Sequence, residues 1–130
     1  LPIFRNRAGG MAAVADAVLE RFLTAGFRAR QPEAAAVVHG DLLRADAEGY
    51  ALACLAIREN DWRGGLGGIQ CPVQVVAGSE DAGTTVAMAQ EITSAVPGAQ
   101  LSVLAAAHLS VLEQPDGFAA ALQALLARVR

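Results

Sequence analysis

Two titratable residues of this chain each follow a segment with the composition of a β-strand. Asp81 comes after the run CPVQVVAG, which ends at Gly78, and His108 comes after LSVL. A strand–helix–strand unit is right-handed, and the carboxyl ends of its parallel strands lie at one edge of the sheet, where open α/β sheets hold their ligands. We therefore expect the carboxylate of Asp81 to lie within about 2.6–3.2 Å of a ring nitrogen of His108.

A carboxylate beside an imidazole can activate a hydroxyl nucleophile. The carboxylate accepts a hydrogen bond from one ring nitrogen and stabilises the imidazolium, while the other nitrogen takes the proton of a serine that attacks an ester carbonyl. Such a serine often lies in a G-x-S-x-G turn. The chain therefore offers an acid and a base without a recognisable nucleophile. None of its serines has that spacing: Ser79, Ser94, Ser102 and Ser110.

Both residues also fit ordinary structural roles. Asp81 could accept hydrogen bonds from the amides of Ala82 or Gly83 in a turn, or lie near the amino end of the following helix. His108, between AAA and LSVL, could be a buried histidine bonded to backbone. Glu80, which precedes Asp81 in the same loop, is expected to be solvated.

The remaining chemistry-bearing residues indicate weaker sites. His39 has no second metal ligand four residues away and is expected at the surface of a helix. Trp62 could cover an apolar pocket or anchor the helical segment. Cys54 and Cys71 lack the spacing of a metal site and are expected to be buried free thiols. The sequence names no partner for Glu113.

Composition excludes several classes of partner. The chain is 54% apolar and has a formal net charge of −3, and all ten basic residues are arginines without a basic stripe, so we expect no nucleic-acid or membrane partner. No apolar run reaches the roughly 18 residues of a membrane span, and no signal-peptide layout is present, so a cytoplasmic location is expected. We expect no cofactor and no metal. The sequence does not show which arginine, if any, binds a substrate carboxylate. Six arginines of the first part of the chain are candidates: Arg5, Arg7, Arg28, Arg44, Arg58 and Arg63.

Hydrophobic periodicity predicts three helices after a connector over residues 1–10. The first runs from Val14 to about Gly26, the second begins at Pro32, and the third is capped by Asp46 and carries a stripe that ends at Ile57. Three helices without a strand are typical of a cap over a site.

The second part of the chain has the pattern of a strand, a helix, a strand and a last helix. Strands are predicted over Val73–Ala77 and Leu101–Leu104, with Thr84 or Thr85 capping a helix whose sheet face includes Met88. The last helix begins at the proline of EQPDGF and should pack on the sheet through Phe118, Leu122, Leu125, Leu126 and Val129. Two strands leave unpaired edges, so we expect either a homo-oligomer or a further part of the same enzyme to cover them.

Four stretches carry a resemblance to a known family: GMAAVADAVLERFLTAGF, GYALACLAI, VVAGSEDAGTT and AAAHLSVLEQPDGF. Through them nearly the whole chain resembles the carboxyl-terminal half of the α/β-hydrolase superfamily, in particular the 3-oxoadipate enol-lactonases. The resemblance implies an α/β fold with a helical lid over residues 1–68 and the carboxyl-terminal part of the core over residues 69–130. It implies that Asp81 is the acid and His108 the base of a Ser-His-Asp triad whose serine lies upstream. Acid loops of the family often have the pattern D-x-x-T-P, whereas this chain has Thr85 in the proline position.

The resemblance implies an ester hydrolase that opens a small-molecule lactone of aromatic catabolism, such as 3-oxoadipate enol-lactone, through an acyl-serine. Fold and triad do not determine the substrate, so another ester, peptide or carbon–carbon hydrolase stays open. A non-catalytic truncated module that pairs its sheet edge with a partner chain is the alternative from a different class. Because the chain begins Leu1-Pro2 and lacks the serine turn, we expect a fragment or a natural truncation.

Overall fold

The computed structural model describes residues 9–129. Most of the predicted connector, with Arg5 and Arg7, lies outside the described residues. Backbone contacts divide the chain into two compact units between Asp61 and Trp62.

The first unit is helical. Its described residues form a short 3₁₀ helix, Met11–Ala13, and four α-helices: α1 Ala15–Phe22, α2 Ala25–Arg30, α3 Pro32–Arg44 and α4 Ala47–Glu59. Val14 and Val18, which lie four residues apart, are buried together with Met11. Pro32 begins α3, and the side chain of Asp46 caps α4, as the sequence predicts.

Two predictions for these helices are wrong. The first helix ends at Phe22, and Gly26 lies inside α2, because Thr24 caps a new helix by accepting a hydrogen bond from Phe27 N at 3.1 Å. The stripe on α4 does not extend to Ile57, whose side chain is exposed.

The second unit contains the predicted parallel strand–helix–strand arrangement. A 3₁₀ helix, Arg63–Gly68, precedes β1 Gln74–Gly78, α5 Val86–Ala95, β2 Gln100–Leu104, α6 Ser110–Glu113 and α7 Pro115–Arg128. The strands pair in parallel, with Gln74 opposite Gln100 and Gly78 opposite Leu104. Both α5 and α7 contact both strands. The 3₁₀ helix also packs on α5, which explains why the contact boundary falls at residue 61 rather than at residue 68; the lid itself stays a prediction.

The sequence predicts the buried face of α5 correctly in part and that of α7 wrongly. Ala89 in α5 and Val96 directly after it are buried, as the sequence predicts, whereas Met88 is half-exposed and lines a hollow of about 330 Å³. On α7 the buried residue is Ala121. The larger side chains of the predicted stripe are at least partly exposed, and Leu122, Leu126 and Val129 are exposed. Small residues permit close approach of a helix to its neighbours, and periodicity does not reveal this choice.

Cys71 is exposed and Cys54 is only partly buried, so the prediction of buried thiols is also wrong. Within residues 9–129, no helix combines the length and apolar character that crossing a membrane requires.

Candidate active site

The loops that follow the two strands are joined through their backbones. Ser79 N donates to Leu104 O at 2.8 Å, and Glu80 N donates to Ala106 O at 2.9 Å. At Gly78 a Cβ atom would lie 2.2 Å from the carbonyl oxygen of Ala107, so a larger residue would clash with backbone. The end of β1 is therefore held directly against the loop that leads to the histidine.

The carboxylate of Asp81 is almost completely buried, with 4% of the side chain exposed. Its Oδ1 accepts hydrogen bonds from Gly83 N at 2.7 Å and Thr84 N at 3.0 Å, and its Oδ2 accepts one from Thr84 Oγ1 at 2.6 Å. Asp81 thus accepts hydrogen bonds from backbone amides of its own turn, as the sequence allowed. The same carboxylate also contacts the imidazole of His108.

His108 Nδ1 lies 2.7 Å from Asp81 Oδ2, which is within the expected distance. Thr84 Oγ1 lies 3.2 Å from the same ring nitrogen. Because the carboxylate accepts from Nδ1, it favours the tautomer in which Nε2 carries the lone pair. The imidazole is 41% exposed, so the alternative of a buried histidine is wrong.

The environment keeps Asp81 ionised at neutral pH. Burial raises the pKa of its carboxyl group, but hydrogen bonds from Thr84, His108 and Gly83 together outweigh burial and lower the pKa to about 2. These bonds stabilise the charged form, because an ionised carboxylate is a stronger acceptor than a neutral one. A permanent negative charge at Nδ1 is what stabilisation of an imidazolium requires.

Sequence reasoning missed two residues of this arrangement. The sequence predicts Thr84 only as a helix cap, whereas Thr85 caps α5 by accepting from Met88 N, and Thr84 donates to the carboxylate of Asp81. Glu113 accepts a hydrogen bond from Ala107 N at 2.9 Å. The three-residue spacing from acid to threonine could have indicated the first, since Asp side chains bond to groups two or three residues later.

The other candidates lie elsewhere. His39 Nε2 lies 2.9 Å from Asp16 Oδ1, which agrees with a surface role. Trp62 is exposed, and its role as a pocket cover or an anchor stays a prediction. Arg44 and Arg58 pair with neighbouring exposed carboxylates. Across the described part of the chain, no three His, Cys, Asp or Glu side chains come together as a metal site.

No protein-family model matches the sequence. A curated relative is 3-oxoadipate enol-lactonase 2 of Acinetobacter baylyi, which is 38% identical over 122 residues that cover 94% of this chain and 46% of that protein. The crystal structure of the enol-lactonase from Burkholderia xenovorans LB400 superposes with a TM-score of 0.93 at 36% identity, over 96% of this chain and 48% of the other. A thermophilic esterase from Thermogutta terrifontis superposes with a TM-score of 0.87 at 27% identity, over 98% and 47%.

The fold therefore assigns the chain to the α/β-hydrolase superfamily, which confirms the predicted fold class. Within that superfamily the chain is homologous to the 3-oxoadipate enol-lactonases and matches their carboxyl-terminal part. It spans just under half the length of the relatives it matches.

Proposed function

We propose that this chain is the carboxyl-terminal part of a carboxylic-ester hydrolase, with Asp81 as the acid and His108 as the base of a Ser-His-Asp triad. The observation that carries the proposal is the 2.7 Å contact between His108 Nδ1 and the buried Asp81 Oδ2 at the carboxyl edge of a parallel sheet. In such a triad the acid binds one ring nitrogen, here Nδ1, and the other nitrogen, Nε2, is proposed to act on the hydroxyl nucleophile.

The proposed reaction proceeds in two halves. In the first, His108 Nε2 takes the proton of a serine hydroxyl while the serine oxygen bonds to the ester carbonyl carbon; the imidazolium then returns that proton to the leaving oxygen, and an acyl-serine remains. In the second, His108 takes a proton from water, the resulting hydroxide attacks the acyl carbon, and the serine leaves with the proton. Asp81 stabilises the imidazolium in both halves because its carboxylate is already ionised.

The serine is proposed to lie on an amino-terminal half that completes the sheet beside β1. Two features of the second unit support this. Its sheet has two strands within the described residues, and apolar side chains of the unit are exposed, including Val103 on β2. The relatives are about twice as long as this chain. The helical first unit is proposed to form the lid.

The proposed substrate is an enol-lactone such as 3-oxoadipate enol-lactone, a small molecule of aromatic catabolism. The enol-lactonase relatives support this choice. A broader esterase activity is the second candidate, since the likeness to the Thermogutta terrifontis esterase extends over nearly the whole chain.

Turnover of p-nitrophenyl acetate and of the enol-lactone tests the proposal. The isolated chain should react no faster than buffer, because its base has no serine turn to activate. A chimaera that joins it to the amino-terminal part of the Acinetobacter baylyi enol-lactonase should gain turnover, and His108→Ala should lower kcat by about 10⁶-fold.

Turnover by the isolated chain that survives His108→Ala would contradict the proposal. Sedimentation of the isolated chain tests the homo-oligomer, which is the other way of covering the sheet edge. If identical copies cover the edge, then adding the amino-terminal half should leave both the sedimentation and the activity unchanged.

A further inference from the structure

The imidazole of His108 depends on its backbone for its position. The bond to Asp81 acts on the Nδ1 edge of the ring, and 41% of the side chain is exposed. The two alanines before it are buried, at 0% for Ala106 and 3% for Ala107. The direction in which this short segment leaves β2 therefore determines where Nε2 lies.

Hydrogen bonds from outside the strand hold each residue of that segment, Ala105, Ala106 and Ala107. Gln114 Nε2 donates to Ala105 O at 3.0 Å, and Glu80 N donates to Ala106 O at 2.9 Å. Ala107 N donates to Glu113 Oε1 at 2.9 Å. The last of these is charge-assisted and acts on the peptide group nearest to the histidine.

Glu113 is itself held by local structure. It is the last residue of α6, with its amide bonded to Leu109 O at 3.2 Å, and Gln114 N bonds to Ser110 O at 2.8 Å before Pro115 begins α7. This helical turn directs the carboxylate back to a residue six positions earlier. The histidine lies between the two ends of that closed segment.

We propose that Glu113 is a positioning residue for the catalytic base: by accepting the amide proton of Ala107, it fixes the peptide before His108 and holds the imidazole in line with Asp81 and the nucleophile. The inference rests on the function proposed above. Misplacing a catalytic group by about 1 Å can lower a rate by about 10²-fold, so a bond at this peptide can control turnover without touching substrate.

A different role would be electrostatic, with the charge of Glu113 stabilising the imidazolium from a distance. Three variants separate the roles. Glu113→Gln keeps an oxygen acceptor at the same reach without the charge, Glu113→Asp keeps the charge on a side chain one methylene shorter, and Glu113→Ala removes both. Asp116→Asn, which changes an exposed carboxylate in the first turn of α7, is the matched control.

Steady-state kinetics should be measured on the whole protein, which is this chain with its amino-terminal half. Activity should depend on whether residue 113 has an acceptor oxygen at the reach of the glutamate and not on whether it is charged. Glu113→Ala and Glu113→Asp should lower kcat by about 10²-fold with KM within about twofold of the unchanged protein. Glu113→Gln should retain kcat within about threefold and leave the pH–rate profile in place, and Asp116→Asn should have no effect beyond about twofold.

Activity retained by Glu113→Asp but lost by Glu113→Gln would overturn the inference in favour of the charge. Activity retained by all three variants would overturn it in favour of a passive contact. If Glu113→Ala does not fold, the comparison of Glu113→Gln with Glu113→Asp still distinguishes the positioning role from the electrostatic one. His108→Ala in the same assay distinguishes failure of the proposed function from failure of the positioning role. If turnover does not depend on His108, the proposed function fails. If turnover depends on His108 but is insensitive to Glu113→Asp, only the positioning role of Glu113 is contradicted.

Discussion

Each compact unit contains a histidine–aspartate pair, and the two pairs have similar lengths. His108 Nδ1 lies 2.7 Å from Asp81 Oδ2 in the second unit, and His39 Nε2 lies 2.9 Å from Asp16 Oδ1 in the first. Their surroundings differ: the side chain of Asp81 is 4% exposed and that of Asp16 is 88% exposed. Distance and residue type alone therefore do not distinguish a candidate acid–base pair from a surface contact.

Burial and additional donors make the difference. Two backbone amides and a threonine hydroxyl bind the carboxylate of Asp81 besides the imidazole, so its charge and its orientation are fixed before any substrate is present. Asp16 projects from α1 towards water, which weakens the attraction between charges and allows the side chain to move. The comparison predicts that equal substitutions in the two pairs have very unequal effects.

The largest expected effect is on catalysis. In the whole protein, Asp81→Asn should lower kcat for p-nitrophenyl acetate by about 10⁴-fold, because an amide in place of the carboxylate holds the imidazole in the wrong tautomer and cannot stabilise its cation. Asp16→Asn removes the same charge from the other pair and should leave kcat within about twofold. Equal losses would show that the strand-end position of Asp81 confers no special role.

The sequence was sufficient to predict that Asp81 and His108 meet. Strand polarity and the handedness of a strand–helix–strand unit bring both residues to one edge of the sheet, and neither property depends on the rest of the chain. The strand bounds shift by only one residue at each affected end, to Gln74–Gly78 and Gln100–Leu104.

Properties that depend on packing partners could not be predicted in this way. Periodicity finds an apolar stripe on α7, but only the folded sheet selects Ala121 as the residue that packs closely and leaves Leu122 exposed. The bond from Ala107 N links that residue to Glu113, the last residue of a short helix that the sequence does not indicate. Neither the close packing of Ala121 nor the bond between Ala107 and Glu113 could be inferred without the path of the backbone.

A smaller effect is expected on stability in acid. The pKa of Asp81 falls from 3.8 to about 2 in the folded protein, so the native state binds this proton less readily than the unfolded chain. The stabilisation is thus fully present above the unfolded value and is lost as pH falls through about 2, with a size of about 2 kcal/mol. Urea unfolding at about pH 5 and about pH 2 should show the difference between the unchanged protein and Asp81→Asn shrinking by that amount.

Thr84→Val sharpens this result. It removes the hydroxyl that donates to Asp81 Oδ2, so the pKa of the carboxyl group should rise and the loss of stability between the two pH values should become smaller. Asp16→Asn is a surface substitution and should change the unfolding free energy by less than about 0.5 kcal/mol at either pH. An unchanged acid response in Asp81→Asn would mean that other carboxylates account for it.

The smallest expected effect is the coupling between His39 and Asp16. The two residues lie on α1 and α3, which pack together, so their bond could in principle tie the helices to one another. Because the carboxylate is mostly in water, a double-mutant cycle with His39→Ala and Asp16→Ala should give a coupling energy of no more than about 1 kcal/mol at mildly acidic pH. In about 1 M salt, where screening acts within about 3 Å, the coupling should become smaller still. A coupling well above that range and independent of salt would break the contrast between the pairs, since it would mean that a short contact stabilises the helices as strongly in water as in a buried site.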